Sequence, residues 1–204
     1  MRAARLLPGD RRPLGGGARD PDPAAPPARP GAGLLSDTTA GEAAPAAGAD
    51  PPVVRAATPA DAAAVAGVHA RAGRAAWSSF LGDVLAEPDV ATWAARVTEP
   101  GFVVAERTGR VVAFARADEQ AGEVALLYVD PDEQGRGTGR LLLGLVLDRL
   151  RAAGHAVARL RTEERNTGPR RFYEAEGFVS TGEVLERTWH GRSLREVWYA
   201  RPLL

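Results

Sequence analysis

Between Phe102 and Val129 the chain carries three apolar-rich runs of strand length. FVVAER and VVAFARA flank Thr108-Gly109-Arg110, a hairpin turn signal, and Val124 to Val129 reads as a third strand. Upstream, Val53-Val54-Arg55 is a short strand candidate. Thr58-Pro59-Ala60-Asp61 then places Thr at an N-cap, Pro at the first helical position and an acid at the third, a helix start. Val65, Val68 and Ala72 continue at helical spacing, which predicts a helix to about Arg71. Trp77 and Phe80 fall outside that period, in an expected loop, and Pro88 to Thr98 reads as a second helix around Trp93. Aromatics in such a position either close the core or line a pocket.

Downstream, Leu141, Leu142, Leu145, Val146 and Leu150 leave only a narrow polar stripe of Arg140, Gly144, Asp148 and Arg151. That pattern predicts a helix lying against a sheet and stopped by Gly154. A strand from Ala156 to Arg161 follows, then a helix with Pro169 near its start and Gly177 past its end, then a hairpin turning at His190-Gly191. This order predicts an α/β domain, a mixed sheet with helices on both faces.

Composition divides the chain. Residues 1–52 hold ten of the 16 prolines and no Val, Ile or aromatic residue, too little apolar surface to offset the entropy of ordering. A disordered extension is expected there and a single domain over residues 53–204. No apolar region of signal-peptide length follows the early arginines. The 26 basic and 26 acidic residues cancel, so nothing draws the chain towards nucleic acid or an anionic membrane. The absence of cysteine removes disulfides, thiolate nucleophiles and cysteine-ligated metals, and no apolar run approaches a membrane span. A cytoplasmic protein, monomer or homodimer, is the expectation. All basic residues are Arg and Asn166 is the only Asn, the codon bias of a GC-rich, bacterial-type genome. Arg abundance therefore carries little functional weight, and Asn166 carries more.

The candidate chemistry begins at Glu123 to Gly144, EVALLYVDPDEQGRGTGRLLLG, where a strand passes through a glycine-rich turn into a helix. Unpaired N–H groups and the peptide dipoles at a helix N-terminus hold phosphate, and Gly135, Gly137 and Gly139 let backbone approach it and tolerate positive φ. Arg136 and Arg140 add positive charge at the mouth. The chain has no lysine, which excludes a Gly-Lys-Ser/Thr nucleotide loop. Gly137 and Gly139 come late in the chain and without the third dinucleotide-loop glycine, which disfavours a Rossmann site.

Gln134-Gly135-Arg136-Gly137-Thr138-Gly139 resembles the acyl-CoA pyrophosphate loop of the GNAT acetyltransferase superfamily. The resemblance extends to the preceding Leu-Tyr-Val-Asp-Pro, the leucine-rich helix, Asn166, and Arg171 to Phe178, so it covers Val53 to Arg201. It implies a mostly antiparallel sheet of six to seven strands with strands 4 and 5 splayed for acyl-CoA. It also implies acetyl-CoA as co-substrate, with no metal, and an amine acceptor attacking directly in a ternary complex. Leu127, Tyr128 and Val129 would then bind pantetheine, Gln134, Gly135, Arg136, Gly137, Thr138, Gly139 and Arg140 the pyrophosphate, and Asn166 and Tyr173 the arm near the thioester. The alternative is a non-catalytic acyl-CoA-binding regulatory or interaction module.

Amide formation requires that an ammonium lose a proton, an oxyanion be stabilised and a thiolate be neutralised. Tyr173, a phenol protonated at neutral pH and seven residues after Asn166, is the candidate acid. Glu123, eleven residues before Gln134 as in histone-type members, is the candidate base, with burial expected to raise its pKa. A water relay and a merely solvated strand-end carboxylate stand beside it. N-terminal-acetylating relatives place glutamate five residues before the asparagine, where this chain has Arg161; Glu163 and Glu164 are out of register. The backbone N–H of Val129 or its neighbour is the candidate oxyanion donor. His69, His155 and His190 share no ligand spacing and are read as structural.

Overall fold

The computed structural model describes residues 50–82, 87–189 and 191–203. The expected N-terminal extension lies outside the described residues up to position 49, as do His190 and the side chain of Phe80. Seven strands form one sheet: β1 (Val53–Ala56), β2 (Phe102–Arg107), β3 (Arg110–Asp118), β4 (Glu123–Val129), β5 (Val157–Glu163), β6 (Val179–Trp189) and β7 (Arg192–Pro202). Their order is β1-β2-β3-β4-β5-β7-β6, and every neighbouring pair is antiparallel except β4 and β5. Four α-helices complete the fold: α1 (Ala62–Leu81), α2 (Val90–Arg96), α3 (Thr138–Ala152) and α4 (Thr167–Ala175). Among the described residues no helix is long and apolar enough to cross a membrane.

Local chemistry explains most boundaries. Thr108 and Gly109 turn β2 into β3 with φ of 50° and 75°, two successive left-handed residues whose twist suits a hairpin. Thr58 and Asp61 form the expected capping box, although the first turn, Pro59–Asp61, is 3₁₀ and α1 proper starts at Ala62. At the end of α3, His155 N–H bonds to the Leu150 carbonyl and Gly154 N–H to that of Arg151, around Gly154 at φ 88°. These are the two bonds of a Schellman stop, as the position of Gly154 predicts.

Two expectations need correction. Helix α1 runs ten residues past Arg71 and carries Trp77 on its buried side, so the stretch read as a loop is helical. Its alanines and glycines bury too little area to mark a face, which hid the continuation from Ala72 through Gly73 to Trp77. In α3, Leu141 and Leu145 are 41% and 38% exposed rather than packed on the sheet; Leu142, Leu143, Val146 and Leu150 do the packing.

The sheet separates two cores. On one face α3 and Tyr173 of α4 cover Val112, Ala115, Leu127 and Leu160. On the other, Val65, Val68 and Trp77 of α1 and Trp93 of α2 cover Val104, Phe114, Leu126 and Tyr128. Within this second core the rings of Phe102, Phe114 and Tyr128 stack in a row at 5.5 and 5.0 Å.

His69 of α1 is set between Trp93 and Tyr128, 5.0 Å from each ring. Burial, reinforced by the nearby Arg96 guanidinium, lowers its pKa from 6.5 to about 4. The folded chain thus holds His69 neutral where the unfolded chain protonates it, so stability is lost as pH falls from 6.5 towards 4. The loss should be on the order of 2 kcal/mol. Melting temperature should fall more steeply between pH 7 and pH 4 for the unaltered chain than for His69→Phe; parallel curves would contradict this reading.

Candidate functional site

Strands β4 and β5 meet at one paired position, Glu123 with Arg159, helped by Arg159 N–H bonding to the Gly122 carbonyl at 2.9 Å. Beyond that point they diverge. Leu127, Tyr128 and Val129 pair with β3 on one side through Ala115, Phe114 and Ala113, and turn the other backbone edge towards the gap. An extended ligand with amide groups can complete such an edge as an added strand would.

The glycine-rich turn closes the end of β4. Asp130 is fully buried, caps a 3₁₀ turn at Pro131–Glu133 and accepts from Arg71 of α1 at 2.7 Å. Glu133, also buried, accepts from Arg107 at 3.0 Å. These two carboxylates anchor the loop from below; Asp130 belongs to the Leu-Tyr-Val-Asp-Pro of the motif, but sequence reasoning assigned neither acid this role. Gly135 and Gly137 take φ of 72° and 81°, and Gly137 is the N-cap of α3. Gly139 does not share that conformation; it is buried inside the first turn of α3, so only two of the three glycines need positive φ. The exposed N-terminus of this 15-residue helix follows, with Thr138 buried behind it. Arg136 and Arg140 are not free cations: they pair with Glu133 at 3.4 Å and Glu176 at 2.7 Å. Gln134 turns back to the Val129 carbonyl at 3.4 Å.

Helix α4 brings up the remaining residues. Asn166 is its N-cap yet makes no side-chain cap, and its buried Nδ2 has no partner among the described residues. Tyr173 lies two helical turns on, hence on the same side, fully buried, with its hydroxyl unpartnered. The hydroxyls of Thr162 on β5 and Thr138 on α3 are likewise buried without partners. Buried polar atoms are nearly always hydrogen-bonded, so these four are candidates to meet a ligand. All four can donate, which suits the carbonyl and phosphate oxygens of a coenzyme A arm. Burial, and secondly Tyr128, push the Tyr173 phenol well above its usual pKa. It stays protonated.

The opposite face of the sheet carries a row of charge that sequence reasoning missed. Arg161 pairs in register with Trp198, Leu185 with Glu196, and Arg187 with Leu194, so these side chains share the face of α1 and α2 with Glu123. Glu123 Oε2 is 3.7 Å from Arg161 Nη1, Arg161 Nε is 2.9 Å from Glu196 Oε2, and Arg187 Nη2 donates to Glu196 Oε1 at 2.6 Å. Glu123 therefore sits beside a guanidinium, a quarter exposed, rather than in the apolar setting expected of it. Glu196 is fully buried, and loss of solvent raises its pKa against the pull of both arginines. In the sequence it stands between Arg195 and Val197 like any strand residue facing water. Glu163, the buried last residue of β5, lies opposite Glu196 on this same face and accepts from Arg165 N–H at 2.6 Å, and Glu164 pairs with Arg195 at 2.9 Å. Neither is placed as a base.

Comparison with known proteins agrees with this geometry. The model of the acetyltransferase (GNAT) family matches residues 71–178, more than half of the chain. A mycothiol acetyltransferase of Thermobispora bispora is 39% identical over 97 residues, 43% of this chain and 33% of that protein. The chain spans about a third of the length of the curated relatives it matches most strongly. Among solved structures, a GCN5-related N-acetyltransferase of Rhodopseudomonas palustris shares the fold at a TM-score of 0.65 and 22% identity, over 76% of this chain and 97% of that one. The protein yncA of Salmonella typhimurium, whose structure holds acetyl-CoA, aligns at 0.56 and 26% identity over 76% and 95%.

A Cβ at Gly137 would meet nothing within 4 Å, but φ of +81° strains any L residue there. Gly137→Val should cost about 2 kcal/mol of stability and abolish coenzyme A binding by filling the approach to the helix N-terminus. Calorimetry checks it, and an unchanged affinity would defeat the phosphate-cradle assignment.

Proposed function

The chain belongs to the acetyltransferase (GNAT) family, and from that we propose that it transfers an acetyl group from acetyl-CoA to a primary amine, on a small molecule or a peptide N-terminus, by direct attack in a ternary complex. The observation that carries this reading is the pair of buried, unpartnered donors on α4, Asn166 Nδ2 and Tyr173 Oη, beside the gap between β4 and β5. A binding module needs Asn166. It has no use for a phenol kept protonated at the same place.

In this reading the residues from Gln134 to Arg140 receive the pyrophosphate, and the free edge of Leu127, Tyr128 and Val129 pairs with pantetheine. The amine attacks the thioester carbonyl; a C–N bond forms, the C–S bond breaks, and the electron pair leaves on sulfur. Tyr173 donates to that sulfur. Full proton transfer from a phenol raised above pKa 10 to a thiolate of reference pKa ~8.5 is uphill in water, but burial makes the thiolate more basic as well. The amine's own proton passes to Glu123 or to a water that Glu123 orients, and the adjacent Arg161 keeps that carboxylate in place. Positioning of the two reactants supplies most of the acceleration. The catalytic unit is residues 53–204. The T. bispora relative acts, by its name, on a mycothiol compound; the alignment reaches too little of it to bring that acceptor here.

Tyr173→Phe should lower kcat about 10²-fold while leaving coenzyme A affinity unchanged. Activity equal to that of an active unaltered chain would remove Tyr173 from the chemistry, and coenzyme A binding with no transfer by either form would favour the non-catalytic alternative.

A further inference from the structure

The row of charge on the α1 face has a composition that selects its ligand. Glu123 and Glu196 stand against Arg161 and Arg187, and buried Glu163, opposite Glu196 in register, against Arg165; three carboxylates meet three guanidiniums, so the row is neutral before any acceptor arrives. A simple cationic amine would leave one charge uncompensated among half-buried groups, which is costly. An acceptor with both an ammonium and a carboxylate adds no net charge.

Hydrogen-bonding capacity points the same way. Arg187 spends Nη2 on Glu196, while its Nε and Nη1 are buried and have no partner among the described residues. Trp189, two residues further along the same face of β6, meets Trp77 of α1 ring edge to ring face at 6.3 Å. The indole N–H of Trp77, whose side chain is 2% exposed, is also unpartnered. These groups donate and cannot accept; Glu196 accepts from Arg187 through Oε1, while its Oε2 is ion-paired with Arg161 at 2.9 Å without an aligned hydrogen bond. Buried donors without acceptors call for a ligand group that only accepts, and a carboxylate is one.

We propose that the acetyl acceptor is an amine that also bears a carboxylate, seated on Arg187 and the Trp77 indole N–H between α1 and the β6–β7 hairpin. The inference rests on the acetyl-acceptor reading above. Glu123 and Arg187 lie on β4 and β6 with β5 and β7 between them, and they are level with Ala200 and Leu194 of β7, so their backbones are separated by about 14 Å across the strands and roughly 20 Å along them. Amine and carboxylate are therefore separated by several bonds, as in a short peptide, rather than carried on one carbon.

The test uses a set of dipeptides and tripeptides, each as the free acid and as its C-terminal amide, with the full chain in the presence of coenzyme A. Binding is read by the fluorescence of Trp77 and Trp189, which requires no turnover, and acetyl transfer is followed separately. Free acids should bind about tenfold tighter than their amides, the worth of a charge-assisted hydrogen bond. Arg187→Met should bring the acids to the level of the amides without changing coenzyme A affinity, and Glu196 keeps Arg161 as a partner in that variant. Arg187→Lys, which keeps the charge beside Glu196 but lacks the Nε and Nη1 donors, and Trp77→Phe should each lose part of the preference. Equal binding of acids and amides, no binding of either, or an Arg187→Met effect equal on both would overturn the proposal. An acid preference without transfer would sink the catalytic reading and leave this seat standing; transfer without the preference would do the reverse.

Discussion

The separation of β4 from β5 after the single pair Glu123 and Arg159 is the constraint on which the rest of the molecule depends. A sheet opened at its centre gives up ladder hydrogen bonds, and the two edges must be held apart by something other than each other. On the β4 side the hold is ionic and buried: Asp130 is tied to Arg71 of α1, and Glu133 to Arg107 of β2. On the β5 side α4 is fastened to β7, with Arg170 donating to Tyr199 at 2.9 Å and Tyr199 donating to Glu174 at 2.8 Å. The gap is thus a built feature. Each carboxylate has a second guanidinium in reach, Arg110 at 3.4 Å from Asp130 and Arg136 at 3.4 Å from Glu133, so the hold does not depend on one ion pair.

Two kinds of unsatisfied group result, on opposite faces. Around α4 they are hydroxyl and amide donors suited to a long, oxygen-rich arm. Across the sheet they are arginine and indole donors next to a neutral ionic row. The first set lies where a cofactor arm would enter between the strands, the second where an acceptor would approach from the other side. Arg71 connects them physically, since it belongs to the helix that carries Trp77 and bonds to the residue that starts the glycine-rich loop.

Most of the architecture was legible because short-range chemistry fixes it. The hairpin at Thr108-Gly109, the capping box at Thr58 and Asp61, and the stop at Gly154 each depend on residues within a few positions of one another. The motif residues were legible for the same reason, and the structure brings Asn166 and Tyr173 to one side of one helix. What escaped depends on distant partners or on featureless composition. The end of α1 is written in alanine, which fits a helix anywhere. Asp130, Glu133 and Glu196 look like surface acids in the sequence and become buried anchors only when α1, β2 and β6 bring arginines to them. Glu123 was placed correctly on its strand, but its partner Arg161 comes from a strand 38 positions later.

The central claim is that this opened sheet binds acetyl-CoA and delivers its acetyl group to an amine. The most direct measurement is release of free thiol from acetyl-CoA by the full chain across a panel of primary amines, amino acids and short peptides. At least one amine should raise release above the amine-free rate, with the acetylated amine recovered in equal amount. Tight coenzyme A binding with no acceptor in the panel raising release would contradict the account.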